Sequence, residues 1–185
     1  MSVVRKYIYQ ILKEQDLTPV EATAQYAHRG QTRRSGEPYF SHPYEVAELI
    51  KSYYPSNDIA YNAALLHDTI EDAIEIGNVA DEEEMIALIN DAIENPDLAD
   101  SVVEVVLALT KTGKMSYSSY LTSLYDFPNA MIVKLADMNH NLGDAPSERQ
   151  KIKYLSAIKD IEEYFGGKPT FVAEGHWKLL LDKLS

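Results

Sequence analysis

The segment Leu65-Leu66-His67-Asp68-Thr69-Ile70-Glu71-Asp72 carries four ionisable residues where an apolar stretch ends. Apolar residues at helical spacing precede it, which predicts a helix that has entered the core before the charges begin. Unpaired charge is costly to bury, so any fold of this chain must bring partners to the segment. Because residues four positions apart share a helix face, His67 with Glu71, or Asp68 with Asp72, can face one cavity.

Two interpretations of this segment are open from its residues alone. A divalent metal is one possible partner, since imidazole and carboxylate groups both ligate such ions. The other interpretation is an acidic helix C-terminus with His67 hydrogen-bonded in the core. We expect the helix to end after Asp72, where the helix dipole disfavours the carboxylates of Glu71 and Asp72. That conflict with local electrostatics favours a functional reason for the acidic pair.

Two distant segments offer one further histidine and one further aspartate. His42 lies at a predicted helix start, with Ser41 as a plausible N-cap and Pro43 in the first turn. Asp137 ends an apolar run, where the alternative to a ligand is an aspartate hydrogen-bonded to the helix backbone. Together with the His67-Asp68 pair, these residues would complete a ligand set of two histidines and two aspartates.

Helical periodicity recurs along the whole chain, and no run alternates convincingly with a period of two residues. Cap signals support several starts: Thr18 to Glu21 forms a capping-box pattern, and Asn57 or Asp58 can cap the central helix. The predicted helices span residues 3–14, 19–28, 42–53, 58–72, 82–93, 97–110, 116–125, 129–142, 148–164 and a last segment ending near Leu181. We therefore predict an all-α, compact helical bundle.

The order of the charged motifs resembles the HD-domain metal-dependent phosphohydrolases. The motifs that carry the resemblance are His42-Pro43, His67-Asp68 followed by Glu71-Asp72, and Lys134-Leu135-Ala136-Asp137 followed by His140-Asn141. The string HRGQTRRSGEPY from His28 to Tyr39 is similar to the alarmone-hydrolase branch, which comprises the hydrolase domain of Rel/Spo proteins and the small alarmone hydrolases. The match covers about residues 20–145 and implies the HD-domain helical bundle.

The resemblance implies a role for each matching residue. The metal ligands of the family correspond to His42, His67, Asp68 and Asp137. The acidic pair that handles the attacking water corresponds to Glu71 and Asp72. The physical chemistry agrees, because a protein-held dication makes water acidic enough to react near neutral pH. A nearby carboxylate can orient that water or move its proton.

The resemblance also implies that Arg33, Arg34, Ser35 and Asn141 bind the substrate. Guanidinium groups match phosphate oxygens, so a pyrophosphate-bearing ligand suits a loop that contains two adjacent arginines. A solvated basic loop is the alternative interpretation. His28 opens the same motif, and we expect a hydrogen-bonded structural role for it.

One motif departs from the family pattern on the substrate side. Where the family reads LADRLHNMRT, Met138 and Gly143 replace two arginines and Asp144 replaces a threonine. We expect weaker substrate contacts there, and Asp144 would repel a phosphate if it faced the pocket. Base and phosphate specificity therefore stay open.

The chain has 185 residues, 45% of them hydrophobic, which fits one domain over residues 1–185. Within it we expect a motif core at about 20–145 and C-terminal helices at 147–184. A net charge of −12 argues against nucleic-acid binding, and no segment is apolar enough to span a membrane. The absence of cysteine suits a reducing cytoplasm and leaves imidazole and carboxylate as ligands, which favours Mn²⁺, Fe²⁺ or Zn²⁺. The sequence does not define the oligomeric state.

The resemblance implies a Mn²⁺-dependent enzyme that removes the 3′-pyrophosphate of (p)ppGpp to give GDP or GTP and pyrophosphate. One alternative is an HD-type phosphohydrolase acting on another nucleotide, such as the 2′-phosphate of NADPH or ppApp. A second is a protein that binds an alarmone without hydrolysing it, which would not need Glu71 and Asp72. We expect a small-molecule nucleotide as the partner and, from the chain length, no synthetase domain.

Overall fold

Helices provide the regular structure of this chain. The computed structural model describes residues 3–111, 113 and 115–185, and of residues 3 and 13–15 the backbone alone. The helices are α1 (Val3–Gln15), α2 (Pro19–Ala27), α3 (Ser41–Tyr53), α4 (Asp58–Leu66), α5 (Thr69–Glu75), α6 (Glu82–Ala92), α7 (Pro96–Leu109), α8 (Tyr117–Ser123), α9 (Pro128–Gly143), α10 (Glu148–Phe165) and α11 (Glu174–Leu184). Within the described residues, β pairing is limited to one bridge between Thr32 and Pro38. The all-α prediction is confirmed.

Local cap signals set several of the helix starts. The Thr18 hydroxyl accepts a hydrogen bond from the Glu21 backbone N–H at 3.3 Å, and the Thr18 N–H donates to the Glu21 carboxylate at 2.7 Å. Asn57 caps α4 by accepting from the Ala60 N–H at 3.0 Å. Both caps agree with the sequence, because they depend on residues within three positions of each other.

The predicted N-cap of α3 is wrong. Ser41 is the first residue of that helix, Phe40 occupies the cap position, and Phe40 forms no side-chain cap. The Ser41 hydroxyl instead donates to the Pro38 carbonyl at 3.0 Å. The preceding turn therefore captures the hydroxyl that the sequence suggested for capping, while Pro43 does lie in the first turn as predicted.

The predicted single helix from 58 to 72 is also wrong, because the chain turns at His67 and Asp68. Helix α4 ends at Leu66 with His67 as its C-cap, and Asp68 is the N-cap of α5. Glu71 and Asp72 consequently lie in the first turn of α5, where the helix dipole favours carboxylates. The expected conflict with local electrostatics does not exist, and the turn instead directs the His-Asp pair inward.

Helix α4 occupies the middle of the bundle. It packs against α2, α3, α7 and α9, and the side chains of Ala60, Ala63, Ala64, Leu65 and Leu66 are buried without exposure. The buried hydrophobic residues form one cluster that runs from Ile11 to Leu180. Within the described part of the chain, no helix is long and apolar enough to cross a membrane.

Candidate metal centre

Three helices of the bundle meet at one buried cluster of histidines and aspartates. His42 comes from the first turn of α3, His67 from the end of α4, and Asp137 from α9. One ligand atom from each lies within 4.8 Å of the other two, and all three side chains are buried. His42 Nε2 is 3.2 Å from Asp137 Oδ1, and His67 Nε2 is 3.9 Å from the same oxygen.

His67 presents a free nitrogen to this cluster. Its Nδ1 lies 2.7 Å from the Ala64 carbonyl oxygen, so Nδ1 carries the donated proton and Nε2 carries the lone pair of the neutral ring. The Nε2 atom is buried and forms no hydrogen bond within the described residues. A buried ring nitrogen that forms no hydrogen bond and lies near two carboxylates fits a metal ligand.

Asp68 lies next to the two histidines of this cluster, on the turn between α4 and α5. Its Oδ2 lies 3.2 Å from His67 Nε2 and 3.7 Å from His42 Nε2, and it accepts a hydrogen bond from the Tyr39 hydroxyl at 2.9 Å. Burial lowers the pKa of His67, but Asp68 and Asp137 raise it to about 9. The two carboxylates therefore stabilise a positive charge between them, which a proton or a metal cation can supply. The residues present fit a divalent cation with nitrogen and oxygen ligands.

Two neighbours on α9 hold Asp137 in place. Lys134 Nζ donates to Asp137 Oδ2 at 2.7 Å, and Asn141 Nδ2 donates to Oδ1 at 2.5 Å. Burial raises the pKa of Asp137, but Lys134 and both cluster histidines lower it well below its usual range. Asp137 is thus charged and oriented, and the alternative of a backbone-bonded helix-end aspartate does not describe it.

His140 supports His42 from outside the cluster. The Nδ1 atoms of the two rings are 2.9 Å apart, and their centroids are 4.7 Å apart. Burial, together with His42 and Arg33, lowers the pKa of His140 to about 4, so its ring is neutral near pH 7. A neutral His140 can accept the Nδ1 proton of His42 and leave His42 Nε2 free to ligate, as the hydrogen-bond acceptors beside metal-bound histidines commonly do.

The predicted catalytic pair lies beside the cluster in the first turn of α5. Burial raises the pKa of Glu71, and the nearby carboxylates of Asp68 and Asp72 add to that increase. Asp72 Oδ2 lies 3.4 Å from Nδ1 of His28, which is also 2.7 Å from Gln31 Oε1. His28 is therefore a buried hydrogen-bonding residue, as expected, and it additionally contacts a predicted catalytic carboxylate.

The predicted substrate residues surround two neighbouring cavities. A cavity of about 240 Å³ is lined by Thr32, Arg33, Arg34, Tyr39, Asn141, Asp144 and Gln150. Asn141 connects this cavity to the cluster of histidines and aspartates, because its amide donates a hydrogen bond to Asp137. Ser35 lines the adjacent cavity of about 400 Å³, to which Arg33 and Asp144 also contribute. Three of the four predicted substrate residues thus share one cavity.

Several residues of this site gave no decisive sequence signal. Tyr39, Lys134 and His140 lie within the predicted motifs and Gln150 lies outside them, but only their contacts define their roles. Arg29 belongs to the basic motif, yet its guanidinium lies 4.9 Å from the centre of the Tyr7 ring and outside the arginine-lined cavity.

The fold and the cluster together define an all-helical domain with a candidate metal centre of histidine and aspartate ligands. Residues 21–161 match the HD domain family, and the chain belongs to that family. The resemblance predicted from the sequence is confirmed, both for the HD domain and for its similarity to Rel/Spo-type proteins.

Curated relatives resemble this chain over much of its length. It is 31% identical over 149 residues to the guanosine-3′,5′-bis(diphosphate) 3′-pyrophosphohydrolase of Haemophilus influenzae, an alignment that covers 75% of this chain and 20% of that protein. It is also 31% identical over 150 residues to a GTP pyrophosphokinase of Myxococcus xanthus, covering 72% and 18%. A Brucella melitensis GTP pyrophosphokinase rsh is 33% identical over 126 residues, covering 62% and 15%. The chain thus spans a fifth or less of these relatives.

Proposed function

We propose that this chain is a divalent-metal-dependent phosphohydrolase that removes the 3′-pyrophosphate of (p)ppGpp, with Mn²⁺ as its metal. The observation that carries the proposal is the buried His42, His67 and Asp137 cluster, joined through Asn141 to an arginine-lined cavity. The name of the Haemophilus influenzae relative supports the same reaction.

Four side chains would hold the metal in this proposal: His42, His67, Asp68 and Asp137. When bound, a divalent cation supplies Lewis acidity, which makes a water molecule a competent nucleophile near neutral pH. Lys134 and Asn141 fix both oxygens of Asp137, so this ligand needs little reorganisation to bind. Tyr39 restrains Asp68 in the same way.

The arginine-lined cavity would hold the phosphates of the nucleotide. Arg34 lines this cavity, and its side chain forms no ion pair with any residue in the described part of the chain. Charged hydrogen bonds from a guanidinium to phosphate oxygens are stronger than neutral ones, so Arg34 can orient the nucleotide beside the cluster. The chain has an otherwise acidic composition, which makes a local cationic cavity significant.

Glu71 and Asp72 would handle the protons of the reaction. Water adds to the phosphorus, the bond from that phosphorus to the 3′-oxygen breaks, and the 3′-oxygen takes up a proton. Burial raises the pKa of Glu71, so this carboxyl takes up a proton more readily than an ordinary glutamate does, as a proton-transferring group must. His28 Nδ1 lies 3.4 Å from Asp72 Oδ2, and the same nitrogen lies 2.7 Å from Gln31 Oε1.

This acidic pair also supports catalysis over simple binding. Both carboxylates add negative charge beside a site for an anionic nucleotide, which would weaken the affinity of a protein that only binds one. A hydrolase gains from them because they can accept and donate protons in the transition state.

The proposal is tested by incubating purified protein and Mn²⁺ with ppGpp, pppGpp, ppApp and NADPH, and resolving the products by chromatography. We expect GDP and pyrophosphate from ppGpp, GTP and pyrophosphate from pppGpp, and no product when a chelator is present. Release of phosphate from NADPH, with ppGpp left intact, would instead assign the chain to another substrate. Binding of ppGpp without any product would identify a non-catalytic alarmone-binding protein.

A further inference from the structure

An ion pair occupies one of the two arginines in the proposed phosphate cavity. Arg33 Nη2 lies 2.5 Å from Asp144 Oδ2, and Arg33 Nε lies 3.2 Å from the same oxygen. The Arg33 side chain is only 10% exposed and that of Asp144 is 35% exposed. Two donors on one acceptor hold these side chains together in the cavity wall.

The neighbouring arginine is in a different state. Arg34 is exposed and lines the same cavity of about 240 Å³. Within the described residues its side chain has no hydrogen-bond or ion-pair partner, whereas Arg33 is neutralised by Asp144. The cavity therefore contains two guanidinium groups and one carboxylate, and only one of the guanidinium groups is available to an anion.

The backbone reinforces this arrangement from both sides of the cavity. The Arg33 N–H donates to the Glu37 carbonyl at 2.8 Å, which closes the loop that carries the arginine. Asp144 is the C-cap residue of α9, three positions after Asn141, whose amide contacts the cluster aspartate. The pair thus joins the loop to the end of the helix that supplies Asp137. Hydrogen bonding and the charge of Arg33 lower the pKa of Asp144, so the carboxylate stays ionised near neutral pH.

We propose that Asp144 is a specificity-determining residue that withholds Arg33 from phosphate and makes this cavity discriminate against nucleotides with an additional phosphate. The inference rests on the proposed function, since it assumes that phosphates enter this cavity. An incoming phosphate must either displace the Asp144 carboxylate from Arg33 or remain near a like charge, and both disfavour the more highly charged ligand. The other Asp144 oxygen adds to this repulsion.

A double-mutant cycle tests the inference with GDP and GTP, which differ by one phosphate and are the products of the proposed reaction. Their binding to Mn²⁺-loaded protein is measured by calorimetry for wild type, Asp144→Asn, Arg33→Gln and the double variant. We expect Asp144→Asn to strengthen GTP binding about ten- to a hundredfold, the effect of one released charged hydrogen bond, and GDP binding by less. In the Arg33→Gln background the same change should have at most a few-fold effect.

A matched control separates the ion pair from the change in net charge. Asp100→Asn removes an exposed carboxylate from α7 and should leave the affinities of both nucleotides unchanged. Unchanged or weaker GTP binding by Asp144→Asn would overturn the inference, and so would an equal gain in the Arg33→Gln background. ADP and ATP are titrated in parallel. If Asp144→Asn weakened the binding of GDP and GTP but not of ADP and ATP, the inference would be overturned and Asp144 would be assigned to base recognition instead. Failure of every nucleotide to bind wild-type protein that retains Mn²⁺ would overturn the proposed function as well.

Discussion

Replacing His140 should weaken metal binding although His140 is not itself a predicted ligand. His42 is buried, and its Nδ1 has His140 Nδ1 as a hydrogen-bond partner at 2.9 Å. A metal on His42 Nε2 requires the ring proton to be on Nδ1, and in His140→Leu that buried donor has no acceptor, which costs the metal-bound state roughly 1–3 kcal/mol. Since 1.4 kcal/mol corresponds to a factor of ten, the Kd for Mn²⁺ should rise by about one to two decades. Removing the hydrogen-bond partner of a metal-bound histidine typically weakens metal affinity by a similar factor.

The assay is a calorimetric titration of metal-depleted protein with Mn²⁺, together with the increase in Tm that saturating metal produces. His140→Gln keeps a side-chain oxygen that can accept the His42 proton, so its affinity should lie within a few-fold of wild type. His176→Leu is the matched control, because His176 is also a buried histidine with a 2.9 Å partner, the Tyr54 hydroxyl, outside the metal centre. An unchanged Kd in His140→Leu, or an equal loss in His176→Leu, would refute the reasoning.

Three further changes test other parts of the account. Asp72→Asn should keep its affinity for metal and nucleotide, while turnover falls by roughly two to four orders of magnitude, which is what an acid–base group contributes. Turnover near the wild-type rate would mean that another residue is the base. Arg34→Ala should lower kcat/KM by about one to two decades at low salt, because it removes a charged contact to phosphate, and by less at high salt, where charges are screened. If the variant and the wild type had equal kcat/KM at low salt, the arginine loop would be solvated and would not bind phosphate. Burial lowers the pKa of His176 to about 4. As the pH falls, the unfolded chain therefore takes up a proton at this histidine before the folded protein does. The free energy of unfolding should fall by about 3 kcal/mol between pH 6.5 and pH 4. Urea unfolding should show a smaller pH dependence in His176→Leu, and an unchanged pH dependence would exclude this histidine as the cause.

Features decided by neighbouring residues could be predicted from the sequence. The capping box at Thr18 and the cap at Asn57 depend on groups three positions away, and both occur as expected. The turn at His67 and Asp68 could not be predicted, because the apolar pattern continues through it to Ile70. Helical periodicity indicates which residues are buried. It does not indicate that the chain turns here to place two side chains next to His42 and Asp137, which are distant in the sequence.

The contacts that define the site join residues far apart in the sequence. His42 and His140 are separated by 98 positions, and Arg33 and Asp144 by 111. Motif order predicted residues that the fold does bring together, such as His42, His67 and Asp137. No local pattern indicates that one arginine pairs with an aspartate while the next remains available. The metal identity and the single-domain organisation stay predictions.

Hydrolysis of ppGpp by metal-depleted protein, followed as Mn²⁺ is added, tests the central claim most directly. The claim is that the His42, His67, Asp68 and Asp137 cluster binds the metal on which hydrolysis depends. We predict no turnover in chelator, a saturating rise on addition of Mn²⁺ with GDP and pyrophosphate formed in equal amounts, and no recovery in His67→Gln that circular dichroism shows to be folded. Turnover in the presence of chelator, or recovery of full activity by His67→Gln, would contradict the account.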